Sequence, residues 1–563
     1  MSNSDVLTTE HRLHKLRLSP VWIAAMAGVI ALLPVVVYGI PSNLDLLNHF
    51  RFALPFYDAI QQGHLHPGWL AESNFGYGDP SFRFYPPGLY YVLSIARALT
   101  GSWYVGTVAT LMLLSVVASL GVYFWARDFL PAELAMWAGV FYSVAPYHTN
   151  QLYQAFLLAE FAGAAVLPFT FAFVSRVCRR GSARDVAGLS ISYAALILTH
   201  LPLSVIGSVA LVVYALVCFQ RKRIWSTVFR LIAAVALALI ATSFYWTTMI
   251  AELKWIRAYD SQSTEYSHNF IFSTFSPDNM NVWWMNILVV ATLAMFWPAF
   301  VLFKKWKALF KEQRLLNCVA LLLFFSIFMA APISWPLWKL LGPIQQVQFP
   351  WRWLTVTSMA FPILLAAALP YWRTVASSKR RFVALLAAGT FAISLAFSLS
   401  HTVREAQYLN AQKFDATLRS IPGTQGVWQW WPVWVGSFPT TQMTSLVDAG
   451  SRSVTVQSWG AEKRQFAVSA GEPREIRVKT FFYPHWSATS DSIDFPVRPD
   501  KDGALLITIP ATDTSITLEF KEPLRAEVAE VVSVIGFVLI AALALLSLRK
   551  RSNVRLPLSN FVR

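Results

Sequence analysis

Along most of the chain the apolar residues come in unbroken runs, without the strict alternation of a half-buried strand. Clear runs cover 21–39, 104–124, 132–147, 155–177, 187–200, 203–219, 228–250, 283–303, 314–331, 353–370, 382–399 and 527–548. At ~1.5 Å of rise per residue, about 20 residues cross a hydrocarbon core roughly 30 Å thick. A helix is expected in each run, because lipid offers backbone groups no partner. The stretch "YPPGLYYVLSIARALTG" is apolar too, but short, and it carries Arg97. Past residue 400 the pattern turns polar. "SVTVQSW", "QFAVSA", "EIRVKTFFY", "ALLITIP" and "TSITLEF" are short β-branched and aromatic segments, several of them alternating, broken by Gly, Pro and Asp. The pattern predicts an all-α polytopic membrane protein of about 12 transmembrane helices with a small extracytoplasmic β-sandwich near its C-terminus. The expected units are a cytoplasmic N-terminus (1–20), a transmembrane domain (21–399) with a large outer loop (40–103), a β-rich domain (400–526), a final span (527–548) and a cytoplasmic tail (549–563).

Composition agrees with the runs. Of 563 residues, 56% are hydrophobic and 13% charged, with a mean hydropathy of +0.47. The net charge of +16 suggests nucleic acid only until it is mapped. The cations lie in short loops between apolar runs, as in "SRVCRRGSARD", "QRKR", "KKWKALFKEQR", "RTVASSKRR" and "RKRSNVR". That distribution marks loops on the cytoplasmic side, so no nucleic-acid partner is expected. Counting spans back from these loops puts both ends of 86–101 outside. This segment is therefore expected to lie in the interface or to re-enter, and the proline before it and its amphipathic body suit an interfacial helix. Residues 40–103, 251–282 and 400–526 face outward and both termini face the cytoplasm. The polar, basic N-terminus precedes an apolar run too long for a cleavable signal, so that run is read as a retained first span. Cys178, Cys218 and Cys318 have neither metal-site nor disulfide-framework spacing, and all fall near the cytoplasmic side. No internal repeat, phosphate-binding glycine loop or nucleophile elbow is evident.

Chemistry-bearing residues gather on the outer side of this topology. Asp45, in "IPSNLDLLNHFRF", sits about five residues past the first span. It is placed to act as a general base or to meet a divalent cation; a solvated interfacial acid reads the same way. His49 follows at i+4, on the same helical face. In "NFGYGDPSFRFYPPGLYY", Asp79 belongs to a turn dictated by Gly76, Gly78 and Pro80. Tyr85 is one of several aromatic rings that suit either a sugar face or a membrane belt. Glu160 lies inside an apolar run, where a carboxylate costs roughly 2–4 kcal/mol even on lenient scales. It is a functional candidate, or a polar pin between helices. His148 precedes that run. His200, in "LTHLP", ends a span. Arg352, in "QFPWRWL", stands at a span entrance, where it can hold a phosphate or reach lipid headgroups.

These motifs carry a resemblance. The order of one span, a large acid-bearing outer loop, interfacial helices and further spans resembles GT-C fold glycosyltransferases. More narrowly, "LDLLNHF", "GYGDPSFRFYPPGLYY", "PYHTNQLYQAFLLAEFAG", "LTHLP", "QFPWRWL" and "FFYPHWSATSD" resemble bacterial multi-pass membrane proteins called 6-pyruvoyl-tetrahydropterin synthase-related, relatives of the YfhO-like group. The resemblance implies Asp45 and Glu160 as catalytic acids. His49, Asp79, Tyr85, His148, His200 and Arg352 are the expected substrate contacts. The activity it implies is transfer of a sugar from a polyprenyl-phosphate donor to a glycan, lipid or protein acceptor outside the bacterial cytoplasmic membrane. If a metal takes part, Asp45 and Glu160 are the ligands expected for Mg or Mn. A flippase for a lipid-linked glycan, or a non-catalytic envelope scaffold, would draw on the same outer site.

Overall fold

A computed structural model describes residues 19–219, 223–257, 266–276, 279–300, 313–436, 443–491 and 493–553. The expected N-terminal segment 1–18 and the last ten residues of the tail lie outside the described residues. Among those described, ten helices are long and apolar enough to cross a membrane. They account for ten of the twelve apolar runs. The other two form shorter helices, Ala132–Ser143 and Ala183–Thr199, packed inside the same bundle. The ambiguous segment becomes the helix Gly88–Thr100 of 13 residues. At about 20 Å it is too short to span, and Gly101, in the left-handed region, turns it into the helix Trp103–Ala126.

Lipid-facing surface is visible as large apolar side chains with no protein cover. Trp225, Phe229 and Ile232 on the helix Ile224–Ala241 are exposed, as are Phe382, Leu385 and Ile393 on Arg381–Arg404 and Val531, Val534 and Val538 on the last helix. In water such a band would drive association; against acyl chains it costs nothing. The opposite extreme is the helix Leu354–Ala376, whose first 15 residues are all buried. It packs on Ala132–Ser143 and on Gln313–Ala330. The helix Leu158–Arg179 is nearly as enclosed, between Trp103–Ala126 and Ala183–Thr199. Both central helices begin on the same side of the bundle, and that side carries the β domain.

Past the helix Arg381–Arg404 the chain returns to the first loop. Ile40–Pro41 (β1) pairs antiparallel with Tyr408–Leu409 (β2), and Phe414 of the helix Ala411–Arg419 meets Phe50 edge-on at 5.2 Å. Nine strands follow: Val447–Asp448 (β3), Val454–Trp459 (β4), Lys463–Val468 (β5), Arg474–Phe481 (β6), Trp486–Ser490 (β7), Ile493–Phe495 (β8), Val497–Pro499 (β9), Ala504–Ile509 (β10) and Thr514–Phe520 (β11). They form two antiparallel sheets, ordered β3-β6-β10-β9 and β4-β5-β11-β7-β8. Alternate residues point inward, so Phe466, Val468, Ile476, Val478, Leu505, Ile507, Ile516 and Leu518 fill the space between them. Trp69 and Tyr77 from the first loop are buried in this same core, which ties the sandwich to the bundle.

Candidate active site

Asp45 ends the turn after the first span and precedes the helix Leu46–Gln61. Its side chain is half-buried. Asn48 Nδ2 donates to Asp45 Oδ1 at 3.4 Å, and the Asp45 amide donates to Ala155 O at 3.3 Å. One turn on, His49 is buried. Its Nε2 accepts the Leu158 amide at 3.2 Å, so Nδ1 carries the proton and donates to Tyr90 Oη at 3.0 Å. Burial lowers the His49 pKa to about 4, although the Asp45 carboxylate pulls the other way. The ring is therefore a neutral brace between the first loop and the start of the helix Leu158–Arg179.

Two residues into that helix, Glu160 is also buried. Tyr147 Oη (2.7 Å), Gln151 Nε2 (2.9 Å) and Thr355 Oγ1 (3.0 Å) all donate to its Oε1, and Arg352 Nε donates to Oε2 at 3.1 Å. Glu160 occupies the first turn of its own helix, where the N-terminal dipole favours an anion. The guanidinium of Arg352 is fixed further by Nη1 on Val347 O at 2.8 Å and by the Phe349 ring 4.8 Å away. Among the described residues its Nη2 has no protein partner. Tyr85 lies among these groups. Burial raises its pKa, the charges of Asp45 and Glu160 raise it further, and Arg352 opposes them, so the phenol stays protonated. Arg352 and His49 both lie within electrostatic reach of His200, whose Nδ1 accepts the Leu203 amide at 3.3 Å.

Asp45, His49, Tyr85, Glu160, His200 and Arg352 are thus brought together from five separate stretches of chain. His148 stands one layer back. It is stacked between Tyr142 (4.4 Å) and Phe161 (4.8 Å) and reaches Glu160 only through Gln151. Asp79 is not in this centre. Its carboxylate accepts from Asn74 Nδ2 at 3.1 Å, the Ser81 amide at 3.0 Å and the Ser81 hydroxyl, so it closes its own turn. Among the described residues no group of three or more His, Cys, Asp or Glu side chains is placed to hold a metal ion. A metal on Glu160 would have to displace Arg352 and three neutral donors.

Backbone strain marks the same place. Leu44 (φ 35°), Phe156 (φ 46°) and Gln348 (φ 67°) are non-glycine residues in the left-handed region. They stand just before Asp45, Glu160 and Arg352 respectively. Each costs of order 1–3 kcal/mol and persists only where its surroundings impose it.

A second buried polar knot escaped the sequence reading. Glu252, at the end of the helix Ser243–Glu252, accepts from Arg83 Nε (2.6 Å), Arg83 Nη2 (2.8 Å) and Tyr483 Oη (2.8 Å). It also contacts His485 Nε2 at 2.8 Å and Arg525. Burial pushes the Glu252 pKa up, but Arg83 and His485 more than reverse this, and the carboxylate is held well below its usual range. The knot joins the first loop, the bundle, the sandwich and the last helix. Its signal was present: Glu252 ends an apolar run in "TTMIAELKW", the same anomaly that singled out Glu160.

A family model described as "6-pyruvoyl-tetrahydropterin synthase related domain; membrane protein" matches residues 82–409. No curated protein matches the chain. Among solved structures, the mycobacterial arabinofuranosyltransferase AftD aligns with a TM-score of 0.42 and 16% identity over 71% of this chain and 27% of its own. The chain therefore spans about a quarter of AftD. ArnT from Cupriavidus metallidurans, bound to undecaprenyl phosphate, aligns at 0.42 and 13%, over 72% of this chain and 74% of its own. The Archaeoglobus fulgidus oligosaccharyltransferase aligns at 0.34 and 14%, over 70% and 57%. Likeness at this level carries no functional weight.

Proposed function

The chain belongs to the 6-pyruvoyl-tetrahydropterin synthase related family of membrane proteins, and from that premise and the Asp45–Arg352 centre we propose that it is a membrane glycosyltransferase. It moves a sugar from a polyprenyl-phosphate donor to an acceptor on the extracytoplasmic side of a bacterial inner membrane. The observation that carries this reading is the division of labour between two carboxylates. Glu160 is saturated by four donors and spends its charge positioning Arg352. Asp45 is half-buried and bonded weakly, at 3.4 Å, to one amide. One acid is thus free to take a proton, and the cation held by the other has an open N–H edge.

In the step proposed, an acceptor hydroxyl attacks the anomeric carbon as Asp45 takes its proton. The bond from that carbon to the phosphate oxygen breaks, and its electron pair leaves with the polyprenyl phosphate. Arg352 Nη2 meets the phosphate as charge develops, which is where fixed donors help most. The protonated Tyr85 hydroxyl can donate to the same oxygens. Neutral His49 and Tyr90 hold the Asp45 helix against Leu158. If a divalent cation takes part, Asp45 is the acid open to it.

The test is release of polyprenyl phosphate from a radiolabelled polyprenyl-phosphate sugar by the purified full-length chain. Asp45→Asn should cut turnover by about 10²–10⁴, the usual worth of general-base assistance, while the variant elutes as wild type. Full turnover by Asp45→Asn would remove this residue from the mechanism. A wild-type chain that moves the lipid-linked sugar across vesicles without cleaving it would favour the flippase, and one that does neither would favour the scaffold.

A further inference from the structure

Beyond Asp45, the same helix forms one wall of an open cleft of about 450 Å³. The opposite walls are Glu72 and Ser73 of the first loop and residues 421–426 of the link to the sandwich. That third wall is held in place. Asn74 Oδ1 accepts the Gly426 amide at 2.8 Å and the Trp431 indole at 2.6 Å, and the Phe75 amide donates to Thr424 O at 3.0 Å. Asn74 and Phe75 adopt left-handed backbone to make these bonds. A Cβ at Gly426 would meet Asn74 Oδ1 at 2.7 Å, so only glycine permits so close an approach.

The cleft's polar side chains differ from those of the two buried centres. Among the described residues, the side chains of Asp58, Gln62, Glu72 and Gln425 make no hydrogen bond to the protein, and Arg51 Nε is buried without a partner. Two groups that only accept, one that only donates and two amides that do both are thus presented together, with Leu54 and Ile421 as apolar floor. Sugar hydroxyls both donate and accept, and sugar rings carry apolar C–H faces. A phosphate or anionic headgroup would be repelled by Asp58 and Glu72.

The cleft also has a route to Asp45. Arg51 Nη1 donates to Asn48 Oδ1 at 3.2 Å, and Asn48 Nδ2 to Asp45 Oδ1. Residues 45, 48 and 51 share one helical face, and the six-residue step corresponds to about 9 Å of rise.

We propose that this cleft binds the acceptor, and that the acceptor is a hydroxyl-rich glycan of at least two sugars, lying along the helix Leu46–Gln61 with its terminal hydroxyl at Asp45. The proposal rests on the transferase reading above and extends it to the substrate class. A single sugar cannot occupy both the cleft and the Asp45 end, so monosaccharides should bind poorly.

The detergent-purified full chain is applied to an array of bacterial envelope glycans, with matched monosaccharides and a lysine-rich peptide as controls. Wild type should retain oligosaccharides well above the matched monosaccharides. Gln425→Trp, an exposed position on the link, should fill the cleft and lower retention at least 10-fold. With a retained glycan as acceptor, Gln425→Trp should raise KM by a similar factor and leave kcat unchanged. No oligosaccharide retained, retention untouched by Gln425→Trp, or preference for the peptide would each overturn the proposal. Glycan retention without donor cleavage would instead sink the transferase reading and leave the binding site standing.

Discussion

The Glu160–Arg352 pair allows a test whose sign does not depend on any absolute energy. Three variants are needed: Glu160→Leu, Arg352→Leu and the double. Glu160 is 1% exposed and Arg352 12% by side chain, so neither charge is screened by water. Glu160→Leu strands the guanidinium with Val347 O and the Phe349 and Trp351 rings, none of them an anion, and also frees Tyr147, Gln151 and Thr355. Breaking a buried pair from one side costs about 3–5 kcal/mol, and this case belongs at the upper end because three further donors lose an acceptor. Arg352→Leu leaves Glu160 with three neutral donors and should cost less. The double variant buries no charge and should recover about 1–4 kcal/mol over Glu160→Leu. Thermal unfolding in one detergent at one scan rate reads the order, since such unfolding is commonly irreversible. Glu160→Leu should fall on the order of 5–10 °C below wild type, with the double variant between them. A double variant no more stable than Glu160→Leu would show that the two charges are not coupled, and the positioning role given to Glu160 would fail with it.

The other predictions concern the second knot and the layer behind the site. Glu252→Gln removes the carboxylate shared by buried Arg83 and part-exposed Arg525, leaving Arg83 with Glu522, and should loosen the sandwich from the bundle; faster release of the sandwich by a soluble protease would report it, and an unchanged rate would refute it. Burial lowers the His148 pKa to about 4, so between about pH 6.5 and 4 the unfolded chain binds a proton that the folded chain does not. Stability from this residue is therefore lost as pH falls through that window, by at most about 3 kcal/mol. His148→Phe, which keeps the stack on Tyr142 and Phe161, should unfold with a smaller loss between pH 7 and pH 4 than wild type; parallel losses would contradict the assignment.

What the sequence determined by itself is whatever depends on neighbours in the chain. Twenty apolar residues in a row must become a helix in lipid because each backbone group finds its partner four residues away. Alternating β-branched segments between Gly, Pro and Asp had to form strands with one inward face, and β5, β6, β10 and β11 do so. The oddity of Glu160 was equally legible, since a carboxylate among apolar residues is anomalous wherever the helix goes. Tertiary structure alone decided what each charge is for. The chain around Asp79, Glu160 and Glu252 does not say which donors will meet each acid, yet the structure closes all three. Glu252 draws one of its partners from 273 residues away. Packing leaves Asp45 half-buried, within electrostatic reach of the same Tyr85 as a guanidinium from much later in the chain. Hydrogen-bond saturation of a buried carboxylate is set by which helices pack together, and local sequence does not encode that choice.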